Sequence, residues 1–226
     1  MEKKDFLNSC DTVSALHFPR WNELPEFDLY IDQVIALTEQ HLRVLSPGNK
    51  GLITPSMINN YVKSGVLPPP KNKKYNRTHL AILMIVCATK SVMEISAISD
   101  IINLSIASDS IETVLDQFAQ MYESAICEAV KKAKLTVSES SSNTEHIMSS
   151  VAIENALNAS AARTVAMYAY SMIAVEPEQN EPEQKSEKKA DKPDKADKKA
   201  AKKADKKSSQ DTQNEQKEKS EESASE

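Results

Sequence analysis

The sequence predicts a mainly α-helical chain, with one compact domain, a helical extension and a disordered tail. Three observations predict it. Apolar residues recur at three- and four-residue spacing over long segments. Helix start and stop residues bracket a short segment from Thr54 to Gly65. From Glu176 onward almost nothing is apolar beyond alanine. About 175 residues remain to fold, which suits one core plus an extension.

Residues 1–23 carry no strong period, end near Trp21, and are expected to form a loosely docked arm. A domain over 24–105 opens with LPEFDLYIDQVIALTEQHLRVL, where Pro25 and Asp28 mark a helix start and Leu29, Ile31, Val34, Ile35, Leu37, Leu42 and Leu45 form a broad stripe. SPGNKG breaks it. The next helix has Thr54 as N-cap, Pro55 at its first position, Met57, Ile58, Tyr61 and Val62 facing inward, and Gly65 as its stop. At about ten residues it is marginal alone and needs packing to hold it. Its other face shows Ser56, Asn59, Asn60 and Lys63. Asn competes for backbone groups inside helices, so the Asn59-Asn60 pair points to selection for contact.

Val66 and Leu67 lead into Pro68-Pro69-Pro70 and then Lys71-Asn72-Lys73-Lys74-Tyr75. Proline fixes φ and removes the amide donor, so this stretch can neither continue a helix nor sit inside a sheet. The reading is a minimal wing, two very short strands around a cationic loop, anchored by Leu67 and Tyr75. RTHLAILMIVCATKSV follows as a central core helix, and EISAISDII as a short one.

Residues 106–175 form the extension. Ser108 to Leu135 carries the seam of a long amphipathic helix of coiled-coil type, running about 40 Å. Such a helix either dimerises or folds back on its own domain. Thr136 to Thr144 reads as a linker and Glu145 to Val175 as a last helix, whose Tyr168, Tyr170 and Met172 either pack on the preceding helix or line an effector pocket. The tail, 176–226, is blocky: 185–207 carries eleven Lys against five acids, and 208–226 two Lys against six. It either solvates itself or assists non-specific DNA association.

Charge is segregated more sharply than the net −5 suggests. Between Gln40 and Met93 there is no Asp or Glu, while Arg43, Lys50, Lys63, Lys71, Lys73, Lys74, Arg77 and Lys90 supply eight positive charges, leaving −13 for the rest. That is an electrostatic footprint suited to phosphate.

The order of helix, TPSMINNYVKSGVLPPP helix, KKY wing, long helix and EISAISDII resembles the winged helix-turn-helix domain of MerR-type regulators. The likeness is strongest to a bacterial family of MerR-like domains of unknown function (DUF1836-like), carried by LPEFDLYIDQV and LITPSMINNYVKSGVLPPPKNKKYNR over roughly residues 24–105. MerR-type domains hold an arginine and paired aromatics in the recognition helix and an arginine in the wing. Setting Gly65 on the turn glycine puts Asn59 at the arginine, Asn60 and Tyr61 at the aromatic pair, and Lys73 near the wing arginine. The resemblance implies double-stranded DNA as partner and a homodimer; the sequence leaves a small-molecule effector, if any, unknown.

The expected contact residues are Thr54, Ser56, Asn59, Asn60, Tyr61, Lys63, Lys71, Lys73, Lys74, Tyr75 and Arg77. No catalysis, cofactor or metal is expected: His17, His41, His79 and His146 are scattered, no catalytic motif is present, and Cys10, Cys87 and Cys127 lack ligand spacing. The run Leu80 to Ala88 falls far short of the ~20 residues that span a bilayer, and the N-terminus lacks an apolar signal region. The expectation is therefore a cytoplasmic transcriptional regulator. The competing reading is an interaction module that docks proteins through its amphipathic C-terminal helices.

Overall fold

A computed structural model describes residues 3–46, 51–140 and 143–174, all within one compact unit, 1–177. The segment read as a tail and Lys50 lie outside the described residues. Seven α-helices account for most of the described chain: α1 (Lys3–Ser14), α2 (Ile31–Leu42), α3 (Pro55–Lys63), α4 (Arg77–Thr89), α5 (Ile95–Ser108), α6 (Ile111–Glu139) and α7 (Thr144–Ser171). Single 3-10 turns sit at Trp21–Glu23 and Arg43–Leu45. The mainly helical class is as the periodicity predicts.

Helix α4 is the axis of the core. Leu80 through Ala88 are all buried, nine residues in a row, so the helix is apolar all round because it is packed all round. Val34 and Leu42 of α2, Ile58 and Tyr61 of α3, Ile98 and Ile102 of α5, and Leu115 and Ala119 of α6 join it in one cluster. Cys87 belongs to that cluster, and burial pushes its thiol up to about 11, the environment of a packing residue and not of a nucleophile.

The arm is not loosely docked. Lys3–Ser14 is a helix packed against α6, and Phe18 is wholly buried, its ring edge-on to Phe118 at 5.2 Å and to Tyr122 at 5.7 Å. The Arg20 guanidinium donates to both carboxylate oxygens of Glu123, at 3.2 and 2.6 Å, and the Phe18 amide donates to the same carboxylate at 2.7 Å. The Trp21 amide donates to Asp116 at 2.7 Å. These partners lie about a hundred residues away, so local periodicity had no access to them.

Helix α2 begins at Ile31, later than the Pro25 to Asp28 start expected. Leu29 is instead extended, exchanging main-chain hydrogen bonds with Tyr75. The Gln33 side chain accepts from the Tyr30 amide at 2.9 Å and so sets the start one residue later.

Helix α6 runs into the segment expected as a linker, Thr136 to Thr144, and ends at Glu139, after 29 residues or about 43 Å. The two ends of its apolar seam are used inside the chain, while Met121, Ala125 and Ala129 between them are exposed. Leu115 and Ala119 enter the main core, while Ala133 and Val137 pack with Ile147 and Val151 of α7 and with Phe6 and Leu7 of α1. Ser110 caps α6 and Asn143 caps α7, accepting from the amides of Thr113 (3.2 Å) and His146 (2.8 Å). No helix among the described residues is long and apolar enough to cross a membrane.

Candidate nucleic-acid interface

Helix α3 forms for the reasons its sequence states. The Thr54 hydroxyl accepts from the Met57 amide at 3.3 Å, a cap worth about 1 kcal/mol, and Pro55 occupies the first helical position, where its missing donor costs nothing. Gly65 ends it in the left-handed region, φ +78°, where a side chain would be strained. Ile58 and Tyr61 turn into the core, at 0% and 7% exposure. Ser56, Asn59, Asn60 and Lys63 all lie exposed on the other side, and no acidic residue interrupts them.

Beyond Gly65 the chain is pinned at once. Val66 and Leu67 are buried, and the Leu67 amide donates to the Tyr61 carbonyl at 3.1 Å. Pro68 is held through its carbonyl, which accepts from Nε2 of buried His79 at 3.2 Å. Since a carbonyl only accepts, Nε2 carries the imidazole proton. Burial, chiefly, pushes this imidazole down from its ordinary value, against the opposing pull of the Pro68 and Pro69 carbonyls. The basic segment therefore emerges from a fixed base.

The wing expected as two short strands is a single turn. The Lys74 amide donates to the Lys71 carbonyl at 2.9 Å, and Asn72 and Lys73 both have positive φ, +52° and +60°. That pairing is the type I′ hairpin turn. The ladder stops there because Pro68-Pro69-Pro70 offer no amides to pair with the returning chain. Tyr75 pairs with Leu29 instead, and among the described residues no strand forms. Asn is one of the few side chains that tolerate this backbone, so KNKK carried the signal for the turn.

The eleven expected contact residues divide in two. Ser56, Asn59, Asn60, Lys63, Lys71 and Lys73 are exposed. Lys74 is half-buried, its ammonium 5.1 Å above the Tyr30 ring. The remainder hold the scaffold. The hydroxyl of Thr54 is the cap; Tyr61 and Tyr75 are buried. Arg77 is occupied within the chain, donating to the Pro25 carbonyl at 3.3 Å, paired with Glu26 at 3.2 Å, and stacked 5.2 Å over Trp21. Elsewhere in the acid-free window Lys90 is also engaged, donating to the Leu52 carbonyl. Sequence reasoning missed Asn72 as the shaped tip and Tyr30 as the platform under Lys74.

These features define a small helical domain that presents a short, capped, acid-free helix and a rigid lysine turn. A family model described as "Domain of unknown function (DUF1836)" matches residues 19–125, and the chain carries that domain there. Its limits exceed the 24–105 read from the sequence and take in the first half of α6. The contacts of Arg20 with Glu123 and of Trp21 with Asp116 close the domain at that extent. No curated protein and no solved structure matches the chain.

Proposed function

We propose that this protein binds double-stranded DNA as a transcriptional regulator of winged helix-turn-helix type. In this reading α3 enters the major groove, with Asn59 and Asn60 as the side chains able to read base edges and Ser56 and Lys63 beside them. Lys71 and Lys73 lie on the flanking phosphates. The observation that carries it is the pairing, within one acid-free window, of an exposed polar helix face with a cationic turn whose base is fixed by buried residues. A phosphate backbone requires that combination of charge and stiffness, whereas a protein-docking face does not require acids to be excluded over more than fifty residues.

The direct test is binding of the full chain to a labelled duplex by fluorescence anisotropy, beside Lys63→Glu. All the α3 positions at issue are exposed, so the variant keeps its thermal midpoint. Affinity falls at least tenfold if α3 lies against DNA, and equal binding by the variant removes α3 from the interface.

A second reading, an interaction module, is favoured by one observation. Ile153, Leu157, Val165 and Tyr168 of α7, with Met172 at its C-cap, recur at spacings of three, four and eight and are 58–82% exposed, a long apolar stripe with nothing packed on it among the described residues. Since Leu115, Ala119, Ala133 and Val137 of α6 are buried within the chain, the α7 stripe is the longer apolar face open to a second copy. The two readings are compatible, and sedimentation of Leu157→Glu beside wild type separates them: only a docking stripe makes the mass change.

A further inference from the structure

We propose that the groove between α5 and the first half of α6 is a binding site for a small, mainly apolar organic molecule carrying a cationic or hydrogen-bond-donating group. The groove has a volume of about 450 Å³, inside the roughly 300–1,000 Å³ span of small-molecule sites. Interiors are normally packed to crystal-like density. Here α5 and α6 both lean on α4, through Ile98 and Ile102 on one side and Leu115 on the other, and the space between them stays open.

The lining chemistry selects the ligand. Ile98, Ile102, Val114 and Phe118 give an apolar bed. Two hydroxyls in that bed are already committed: Ser105 donates to the Ile101 carbonyl at 2.9 Å and Thr89 to the Ile85 carbonyl at 2.7 Å. Neither offers its proton to a guest. Three polar side chains of the lining differ, Ser108, Asp109 and Gln117. Asp109, whose carboxylate is the only charge among the lining residues, Ser108 and Gln117 make no side-chain hydrogen bond among the described residues. Asp109 accepts only, whereas Ser108 and Gln117 can both accept and donate, and all three lie exposed at the edge of the apolar bed; the one carboxylate there favours an ammonium or N–H-bearing head over an anion. The rim is made of Leu104 and Met121, 52% and 65% exposed, and methionine adapts its shape to what it covers. The bed includes Ile85 and Thr89 of α4, so a guest would rest on the helix that also supports α3. The site itself is independent of the DNA reading, and its test uses no DNA.

The experiment is a fluorescence titration of the full chain with Nile red, a neutral apolar dye, followed by displacement with octylamine, octanol and octanoate. The expected result is saturable binding, weakened at least tenfold by Leu104→Glu/Met121→Glu and unchanged by Leu157→Glu on the exposed α7 stripe. Leu104→Ser serves as the milder variant should the double change unfold, and is expected to weaken binding severalfold. Octylamine should displace best and octanoate worst, and Asp109→Asn should erase the advantage of the amine over the alcohol. Three results overturn the proposal: no saturable binding, loss of dye in Leu157→Glu with retention in the rim variants, or octanoate displacing as well as octylamine.

Discussion

Leu29 and Tyr75 exchange both of their main-chain hydrogen bonds, each 2.8 Å long, and this one rung ties the base of the lysine turn to the segment entering α2. Both side chains are buried. Leu29→Pro removes the donor to the Tyr75 carbonyl and empties a core site, and is expected to cost about 2–5 kcal/mol. Tyr30→Ala, next door but 56% exposed, should cost under about 1 kcal/mol, the scale of an exposed cation–π contact. Urea denaturation of the two variants checks the contrast.

The turn tip makes a backbone prediction. Asn72 sits at φ +52°, where a β-branched residue is strained by about 1–3 kcal/mol. Asn72→Val should lower the thermal midpoint, while Asn72→Gly should leave it within a degree or two. If both variants melt alike, the turn does not hold this backbone in solution.

The arm's clasp makes a pH prediction. Burial opposes ionisation of Glu123, but hydrogen bonds from the Arg20 side chain and the Phe18 amide, with the charges of Arg20 and His17, outweigh it and hold the carboxyl below the usual range. Its contribution is therefore present above the unfolded value, near ~4.3, and is lost as pH falls from there through the folded value. Glu123→Gln should cost about 1–3 kcal/mol at pH 7, as a hydrogen bond to a charged group does. The gap from wild type should narrow below pH 4.

His79 gives a second window with the same sign. Its folded pKa is depressed, chiefly by burial, so the unfolded chain binds more protons. Stability is full above the unfolded value of about 6.5 and declines as pH falls below it toward the folded value. Burial depresses His41 in the same direction. The stability difference between wild type and His79→Asn, followed by chemical denaturation from pH 7 to 5, should shrink as pH drops. A difference constant over that range would mean that His79 is not buried as described.

How much of this was legible in the sequence depended on the range of the forces involved. Helix α3 was readable almost residue by residue, because Thr54, Pro55 and Gly65 act through their own backbone and their nearest neighbours. Helix α4 was readable because burial on every face leaves an unbroken apolar run. The docking of Phe18 was not, since its partners Phe118 and Tyr122 are supplied by α6, and the residues between carry no trace of that contact. The charge window was visible, but not which cations are spent: Arg77 and Lys90 look as free as Lys71 and Lys73 until Glu26, Trp21 and the Leu52 carbonyl are set beside them. The same limit hid the α5–α6 groove, whose lining is shared among three successive helices, α4, α5 and α6.

The most direct test of the central claim is the salt dependence of duplex binding by the full chain, with and without Lys71→Glu/Lys73→Glu. Both lysines are exposed at the turn, so the substitutions leave the thermal midpoint in place. Each phosphate contact contributes about 0.9 to the slope of log affinity against log salt. The account predicts a steep negative slope for wild type, and in the variant a loss of about two units of slope together with at least a tenfold loss of affinity at low salt. A variant that binds with the wild-type slope and affinity would contradict it, and would leave the lysine turn without a place on DNA.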